Sequence, residues 1–314
     1  MTTVLVTGAG GFVGSVLRAL LQQEGHDVRA ALRTPPSGTQ GPAFAVGDIG
    51  PDTDWSAALA GCEAVVHLAA HVHVMRGRPG ADAPLFERVN VQGSGNLARQ
   101  AARAGVRRFV FLSSVKVNGE STAGRPFTER DALAPADAYG RSKMQAETAL
   151  RGLAAETGME LAILRPPLVY GPGVKANFLQ LLRLVDRGVP LPLASIDNRR
   201  SLVYVGNLAH AIACCVTHAG AAGRTFFVSD DHDMSTPELV RGIARALGRR
   251  PALFPFPPCL LAALAAVAGR REQAARLTQS LQVDISAIKS ALGWRPPAAP
   301  AEALAQTAAW YRSR

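Results

Sequence analysis

The feature that most constrains the fold of this chain is a glycine-rich turn directly after its first apolar run. Residues 4–6 (VLV) lead into residues 7–14 (TGAGGFVG), in which Gly8, Gly11 and Gly14 stand at every third position. Glycines at this spacing let the backbone turn sharply from a strand into a helix, and the N-terminus of that helix offers N–H groups to an anion. The turn therefore predicts a strand–turn–helix unit that binds the pyrophosphate of a dinucleotide.

The first half of the chain alternates apolar runs with segments of helical spacing. Helical patterns cover 13–24 and 90–104, and further apolar runs lie at 28–32, 43–46, 64–68, 109–112 and 161–164. Such alternation is typical of βαβ units, whose parallel sheet is covered by helices on both faces. We expect an α/β fold, with a Rossmann-type doubly wound parallel sheet and a smaller C-terminal α/β substrate lobe.

The pattern loosens after residue 172, and we place the domain boundary there. Helices are expected at 177–187 and 207–217 with a strand at 201–205, and Ser235 opens a further helix through a capping box with Glu238. The predicted division gives residues 1–172 to the dinucleotide-binding domain, with 200–220 returning to it. The substrate-binding lobe then comprises 173–199 and 221–314.

Composition and charge exclude several classes of function. The net charge of +10 comes from scattered arginines without a basic tail, so we expect anionic small-molecule ligands and no nucleic acid. Cys62, Cys214, Cys215 and Cys259 lack metal-ligand spacing, so we expect no metal and interpret them as reduced core residues of a cytoplasmic protein.

The longest apolar stretch, residues 259–268, is too short to span a bilayer, so no stable membrane insertion is expected. We favour a buried helix for this stretch. The alternative is an interfacial helix, which the following Arg270 and Arg271 would suit.

The end of the second predicted strand bears on which dinucleotide is bound. NAD-specific folds usually carry an acidic residue there, whereas this chain has Arg33, whose guanidinium can pair with a 2′-phosphate. NADP(H) is therefore favoured, and NAD(H) remains possible if Arg33 is only a solvated residue. Asp48, after the third strand, is either an acceptor for the adenine amine or a turn residue.

A tyrosine and a lysine form the candidate catalytic pair. Tyr139 and Lys143 stand four residues apart, so they share one face of a predicted helix. An ammonium favours the phenolate of a nearby tyrosine, and we expect it to lower the tyrosine pKa toward the working range of acid–base catalysis. Ser113 and Ser114 follow the strand 109–112, where a hydroxyl can hold the substrate oxygen.

These motifs together resemble the extended short-chain dehydrogenase/reductase family, of the NAD-dependent epimerase/dehydratase type, over nearly the whole chain. Further segments that carry the resemblance lie at 67–70 (HLAA), 90–93 (NVQG), 165–172 (RPPLVYGP) and 292–296 (LGWRP). The resemblance implies a nucleoside-diphosphate sugar as substrate.

The resemblance also assigns residues. Ser114, Tyr139 and Lys143 would be catalytic, and Ser114, Asn177, Phe178, Arg200 and Arg276 would bind a UDP-sugar. The loop 72–84, with Arg76 and Arg78, would border the sugar pocket. The implied cofactor contacts are Gly8, Gly11, Phe12, Val13, Gly14, Arg33, Asp48, Ile49, Leu68, Ala69, Ala70, Tyr139, Lys143 and Pro166.

Departures from the family pattern narrow the expected reaction. Val115 and Lys116 stand where sugar dehydratases carry an Asp-Glu pair, which argues against dehydration, and Asn118 replaces a usual tyrosine.

An exchangeable NADP(H), which Arg33 suits, favours a net reductase. Residues 113–120, 200–207 and 276–284 more loosely resemble a subgroup of bacterial UDP-glucose 4-epimerase-like proteins and UDP-4-keto-6-deoxy-N-acetylhexosamine reductases. That resemblance implies an NADP(H)-dependent reductase of a UDP-linked 4-keto (6-deoxy-N-acetyl) hexose, serving surface polysaccharides such as lipopolysaccharide. The alternative is a nucleotide-sugar 4-epimerase, for UDP-glucose or UDP-N-acetylglucosamine, that retains NAD.

Two weaker hypotheses are a non-catalytic NADP-sensing regulator and an NADP reductase of a small lipophilic ketone. The resemblance further implies a homodimer formed through helices on a sheet face, one of which carries Tyr139.

Overall fold

The computed structural model describes residues 1–34, 42–72, 82–269 and 271–314. The strands of this part of the chain are β1 (Thr3–Thr7), β2 (Asp27–Leu32), β3 (Ala43–Ala45), β4 (Ala64–His67), β5 (Arg108–Leu112), β6 (Glu160–Arg165), β7 (Leu168–Tyr170), β8 (Leu202–Tyr204) and β9 (Arg224–Phe227). The helices are α1 (Phe12–Gln23), α2 (Ser56–Leu59), α3 (Ala83–Leu85), α4 (Ser94–Arg103), α5 (Ala138–Thr157), α6 (Ala176–Asp186), α7 (Val205–Thr217), α8 (Thr236–Ala246), α9 (Pro258–Val267), α10 (Arg271–Thr278), α11 (Ser286–Leu292) and α12 (Pro300–Arg312).

The main sheet is parallel, in the order β3-β2-β1-β4-β5-β6-β9. The first three strands extend the sheet in one direction from β1, and the chain then returns to add β4 on the other side of β1. Ligands of open parallel sheets bind at such a switch, outside the carboxyl ends of the strands. The predicted Rossmann-type fold is confirmed, and its expected ligand crevice lies beyond Thr7 and His67, which are partners in the β1–β4 register.

The sheet is covered on both faces because side chains alternate along each strand. Val4 and Val6 pack in one core cluster with Leu17 of α1 and Leu208 of α7. Leu5 points to the other face, into a cluster formed with α2, α4 and α5. Strands buried on both faces explain why the sequence shows continuous apolar runs rather than alternation.

The substrate lobe has its own core and a small second sheet. β7 and β8 pair in parallel, and the lobe core unites β7 and β8 with α6, α8 and α12. The predicted capping box is present: the Glu238 N–H donates to Ser235 Oγ, and the Ser235 N–H donates to the Glu238 carboxylate.

The structure differs from the predicted division of the chain in three places. β9, which falls in the range 221–314 assigned to the lobe, is the edge strand of the main sheet. α11 also packs with that sheet, since Ile288 belongs to the same core cluster as Val4. Conversely, β7 and β8 fall in ranges assigned to the dinucleotide domain, yet they pair outside the main sheet.

A π-helical segment, Phe86–Gly93, precedes α4, so the predicted helix 90–104 is the second part of a longer helical stretch. Two short 3₁₀ turns lie at Val115–Val117 and Ala219–Ala221.

The prediction of a buried helix at 259–268 is wrong. α9 forms there, but it has no buried residue, and Cys259 is exposed on it rather than packed in a core. Cys62 and Cys215 are buried as expected, and Cys214 is half-buried. Apolar composition alone does not distinguish a core helix from a surface one.

Candidate active site

The glycine turn is packed too tightly for side chains. Gly8 has a φ of +66°, and a Cβ there would lie 2.8 Å from the Ala69 backbone nitrogen. A Cβ on Gly14 would lie 2.2 Å from the Gly8 carbonyl oxygen. The turn therefore needs glycine at both positions, which matches the prediction from the sequence.

The start of α1 suits a diphosphate. Gly11 is its N-cap, and the first turn contains no acidic residue that would compete for its N–H groups. The turn borders Ala69, whose N–H donates to Thr7 Oγ1 over 3.2 Å, so β1 and β4 enclose the helix N-terminus together. The residues present thus fit a dinucleotide whose pyrophosphate lies on α1.

Arg33 and Asp48, predicted to bind separate parts of the cofactor, contact each other instead. Arg33 Nε lies 2.7 Å from Asp48 Oδ1, and both side chains are about four-fifths exposed, at 81% and 80%. An ion pair this exposed contributes little energy, so either side chain can turn to a ligand at small cost. Arg33 and Asp48 therefore lie at the rim of the crevice, and their contact with each other leaves both side chains able to bind a ligand.

The other predicted cofactor residues divide between the crevice and the core. Ile49 packs against Gly93 of the π-helical segment, since a Cβ on Gly93 would lie 2.8 Å from Ile49 Cγ2. Leu68 and Val13 pack beside the core cluster of β1. The carbonyl of Pro166 accepts a hydrogen bond from the Val115 N–H at 3.0 Å, and this contact joins the segments that follow β5 and β6.

α5 places Tyr139 and Lys143 on one face. Asp137 caps the helix by accepting from the Gly140 N–H at 2.7 Å. Lys143 is buried, and its Nζ donates to the Leu112 carbonyl at 2.8 Å and lies 4.6 Å from the centre of the Phe111 ring. Burial lowers the pKa of Lys143 to about 7.

The expected effect of Lys143 on Tyr139 is not what the structure shows. Burial raises the pKa of Tyr139, and the negative charge of Asp137 raises it further. The loss of hydration around the phenol is the main cause of this shift, and Lys143 does not offset it. The phenol of Tyr139 therefore keeps its proton at neutral pH.

The structure separates the two candidate serines. Ser114 lines the pocket beside Tyr139 and accepts a hydrogen bond from the Lys116 N–H at 3.3 Å. Ser113 is buried, and its hydroxyl donates to Glu147 Oε1 at 2.5 Å. Ser114 alone is positioned to meet a substrate oxygen.

Sequence reasoning missed a buried polar network beneath the pair. Glu147 accepts from Arg165 Nε at 2.9 Å as well as from Ser113, and Arg165 Nη1 donates to Asn118 Oδ1 at 3.1 Å. Glu147 and Arg165 are 1% and 2% exposed. The available signal was Glu147 one turn after Lys143, and an arginine at the end of the apolar strand β6.

His67, at the end of β4, belongs to a second buried network. Its Nδ1 lies 2.7 Å from Thr7 Oγ1, and its Nε2 lies 2.9 Å from Ser94 Oγ. Burial, aided by the positive charge of Lys143, lowers the pKa of His67 to about 3. The ring is therefore neutral at physiological pH and joins β1, β4 and α4 below the crevice.

A cavity of about 450 Å³ opens from Tyr139 into the lobe. The predicted substrate residues Ser114, Asn177, Phe178, Arg200 and Arg276 all line it. The remaining wall is mainly apolar, formed by Leu168, Leu181, Leu184, Leu239, Leu277 and Leu281. The structure thus gathers in one pocket residues that lie far apart in the sequence.

Arg200 and Arg276 bring positive charge to this cavity. Arg200 Nη1 donates to the Gln279 carbonyl at 2.9 Å. Burial lowers the pKa of Arg200, and the neighbouring charge of Arg276 lowers it further. Two guanidinium groups this close favour a multiply charged anion between them, such as a diphosphate. Phe178 is largely buried, stacked on Tyr170 at 5.3 Å between ring centres, so it offers the cavity only an edge.

The sequence also missed a carboxylate in the pocket. Lys116 Nζ lies 2.5 Å from Glu120 Oε1 and 2.5 Å from Asp137 Oδ2. Glu120 and Lys116 both line the cavity near Ser114. This pair offers a donor and acceptors to the hydroxyl groups of a ligand.

The predicted border of the sugar pocket cannot be located, because Arg76 and Arg78 lie outside the residues that the structure describes.

The described residues include no group of three or more His, Cys, Asp or Glu side chains arranged to hold a metal ion. Within the described ranges, each helix is too short or too polar to cross a membrane.

Comparison with known proteins places these features in a family. The model of the NAD dependent epimerase/dehydratase family matches residues 4–229. A protein of Vibrio cholerae described as UDP-glucose 4-epimerase is 45% identical over 309 residues, which cover 98% of this chain and 94% of that protein. N-acetyl-alpha-D-glucosaminyl-diphospho-ditrans,octacis-undecaprenol 4-epimerase of Escherichia coli O157:H7 is 30% identical over 81% of this chain and 76% of its own length.

Among solved structures, MoeE5 in complex with UDP-glucose and NAD is similar to this chain with a TM-score of 0.79 and 28% identity. The similarity covers 99% of each chain.

Proposed function

The chain belongs to the NAD dependent epimerase/dehydratase family, and from that premise we propose that it is a UDP-hexose 4-epimerase. The observation that carries the proposal is the set of residues in the pocket. Ser114 and Tyr139 line the same cavity as Arg200 and Arg276. A UDP-hexose has groups for both sets, because its sugar hydroxyls suit Ser114 and Tyr139 and its diphosphate suits the two arginines.

Each polar residue near the reacting sugar carbon has a separate role in the proposed reaction. Tyr139 exchanges a proton with the C4 oxygen of the sugar, and Ser114 hydrogen-bonds that oxygen in both directions of the reaction. Lys143 is held by the Leu112 carbonyl at 2.8 Å, on the same helix face as Tyr139, and its protonated form would stabilise a phenolate formed during the reaction. When bound, a nicotinamide cofactor supplies hydride transfer at the C4 carbon.

The similar proteins support the epimerase over the reductase that the sequence favoured. The relative with 45% identity is described as an epimerase, and the cofactor bound in the MoeE5 structure is NAD. An epimerase returns the hydride to the same sugar, so it consumes no reductant and needs no exchange of cofactor.

The experiment that tests the epimerase is conversion of a UDP-hexose without added cofactor. The purified protein is mixed with UDP-glucose, and UDP-galactose is measured by chromatography, together with any nucleotide released when the protein is denatured. The proposal expects interconversion and a released nicotinamide dinucleotide. Absence of conversion by cofactor-loaded enzyme, across UDP-glucose and UDP-N-acetylglucosamine, would refute it.

A net reductase is the second candidate, and Arg33 is the observation that favours it. The end of β2 has an arginine where a carboxylate would select NAD, and its partner Asp48 holds it only at the surface. A reductase would bind NADPH more tightly than NADH and oxidise it when a UDP-4-keto sugar is added. Equal affinity for both cofactors would remove this support.

Several further expectations from the sequence stay proposals. They are a homodimer formed through the sheet-face helices that include α5, a place in surface polysaccharide synthesis, and a cytoplasmic location. Light scattering of the purified protein tests the first of them.

A further inference from the structure

α9 presents an apolar surface to solvent. Leu264 and Val267 are 61% and 91% exposed, and Leu260 is more than half exposed. On an adjacent face of the helix, half-buried Leu261 packs against the lobe core and holds the helix in place. Soluble proteins rarely expose contiguous large apolar side chains unless the surface binds something.

The apolar surface continues into the segment that leads to α9. Phe254 is exposed, and its backbone N–H donates to the Leu191 carbonyl at 3.1 Å, so this segment is fixed to the lobe. Residues 251–269 carry no charged side chain. We refer to the exposed side chains of Phe254, Leu260, Leu264 and Val267 as the apolar ridge.

A basic hollow borders the start of the same segment. Its volume is about 580 Å³, and it is lined by Arg183, Arg249, Arg312 and Arg314. Asp186, which pairs with Arg249 Nε at 3.1 Å, is the one carboxylate among the described residues that line it. The basic hollow therefore carries a net positive charge.

The ridge and the hollow are linked through Arg249, while the other arginines of the hollow belong to α6 and to residues 312–314. Arg249 lines the hollow, Phe254 begins the ridge five residues later, and the sequence continues beyond α9 with Arg270 and Arg271. An apolar segment between cationic side chains suits a membrane surface. The apolar groups enter the boundary between headgroups and acyl chains, and the guanidinium groups contact lipid phosphates.

We propose that the apolar ridge and the basic hollow dock the protein on the surface of an anionic phospholipid bilayer. α9 lies in the interface and does not cross it. Charge argues against a second copy of the chain as the occupant. A twofold dimer uses the same face of both copies, and the described residues of the hollow offer one acidic side chain, Asp186, to complement four arginines.

Docking would place the substrate pocket beside the bilayer. α9 packs against α10, which contributes Arg276 and Leu277 to the pocket wall. The reaction with a soluble UDP-sugar needs no membrane, so it is expected to proceed equally with or without vesicles. Membrane binding and catalysis can therefore be tested separately.

The test measures cosedimentation of the protein with vesicles and the fluorescence of a label attached to a native cysteine. Cys259 is exposed on α9, so an environment-sensitive fluorophore is attached there in a Cys214→Ser background, with Cys62 and Cys215 buried. The proposal expects cosedimentation and a blue shift with vesicles of phosphatidylcholine and phosphatidylglycerol. Binding to vesicles of pure phosphatidylcholine is expected to be at least about tenfold weaker. The variants Arg312→Gln and Arg314→Gln are each expected to weaken binding to the anionic vesicles about fivefold.

Matched variants show whether vesicle binding depends on the apolar ridge or is weakened by an added negative charge anywhere on the surface. Leu260→Glu with Leu264→Glu is expected to weaken vesicle binding at least about tenfold. Leu133→Glu, at another exposed leucine, is expected to leave it unchanged. If the double variant does not fold, Val267→Glu at the 91% exposed position replaces it.

Two outcomes would overturn the proposal. One is equal or absent binding to both kinds of vesicle. The other is a dimer in light scattering without lipid that the ridge variants dissociate, since the ridge would then bind a second copy.

Discussion

The polar groups near the carboxyl ends of β5 and β6 are buried, whereas those that follow β2 and β3 are exposed. At the ends of β5 and β6, Glu147, Arg165 and Ser113 are buried and bonded to one another. At the ends of β2 and β3, Arg33 and Asp48 pair in solvent. A buried charge loses heavily when its partner is removed, whereas an exposed pair loses almost nothing. The fold therefore holds the residues proposed for acid–base catalysis in fixed positions and leaves Arg33 and Asp48 free to change partners.

The largest expected effect is on catalysis at the buried end. In Tyr139→Phe, the proton donor is lost while the ring and its packing remain. Turnover should fall about 10³-fold, with cofactor affinity and thermal stability unchanged. Steady-state rates and a nucleotide titration check this result. A variant that keeps near-wild-type turnover would remove Tyr139 from the mechanism.

The next largest effect is expected when the hydrogen bonds between Glu147 and Arg165, near Tyr139 and Lys143, are disrupted. Glu147→Gln keeps the shape of the side chain but removes the carboxylate that accepts hydrogen bonds from the Arg165 guanidinium, at a cost of about 3–5 kcal/mol in the free energy of unfolding. Urea denaturation measures this cost. Glu156→Gln, an exposed residue of the same helix, is the control and should change the unfolding free energy by less than about 0.5 kcal/mol.

A pH dependence follows from His67. Its pKa is about 3 in the folded protein, below its ordinary value of 6.5, so the unfolded chain binds more protons between these values. The stabilisation is complete above pH 6.5 and is lost as the pH falls toward 3. Relative to His67→Gln, the wild type should lose about 3 kcal/mol of unfolding free energy between pH 7 and pH 4. Parallel loss in both proteins would contradict the assignment.

The smallest effect is expected at the exposed rim. Arg33→Ala should leave the free energy of unfolding within about 0.5 kcal/mol of the wild type, because the pair with Asp48 is exposed. If Arg33 contacts a 2′-phosphate, the variant should bind NADPH about tenfold more weakly and NADH as before. An unchanged ratio of the two affinities would show that the rim does not select the cofactor.

The same contrast explains how much the sequence predicts. The parallel sheet, the glycine turn and the face shared by Tyr139 and Lys143 depend on local spacing, and local spacing is visible in one sequence. The pocket residues Asn177, Arg200 and Arg276 were found only through the family resemblance, since nothing local connects them.

What the sequence missed depends on contacts between distant segments. Glu147 and Arg165 find each other through the packing of α5 against β6. The direction of the Tyr139 pKa depends on how much water the fold removes, which spacing does not reveal. The exposure of α9 was predicted wrongly because an apolar run has the same appearance in a core and on a surface.

In the proposed 4-epimerase, the nicotinamide cofactor would return the hydride to the same C4 carbon that it came from, and Tyr139 exchanges only a proton. UDP-glucose carrying deuterium at C4 is incubated with the purified protein and no added cofactor, and the UDP-galactose formed is analysed by mass spectrometry and NMR. The account predicts that deuterium is retained at C4 with inverted configuration. Product without deuterium at C4, or product formed only when NADPH is supplied, would contradict it.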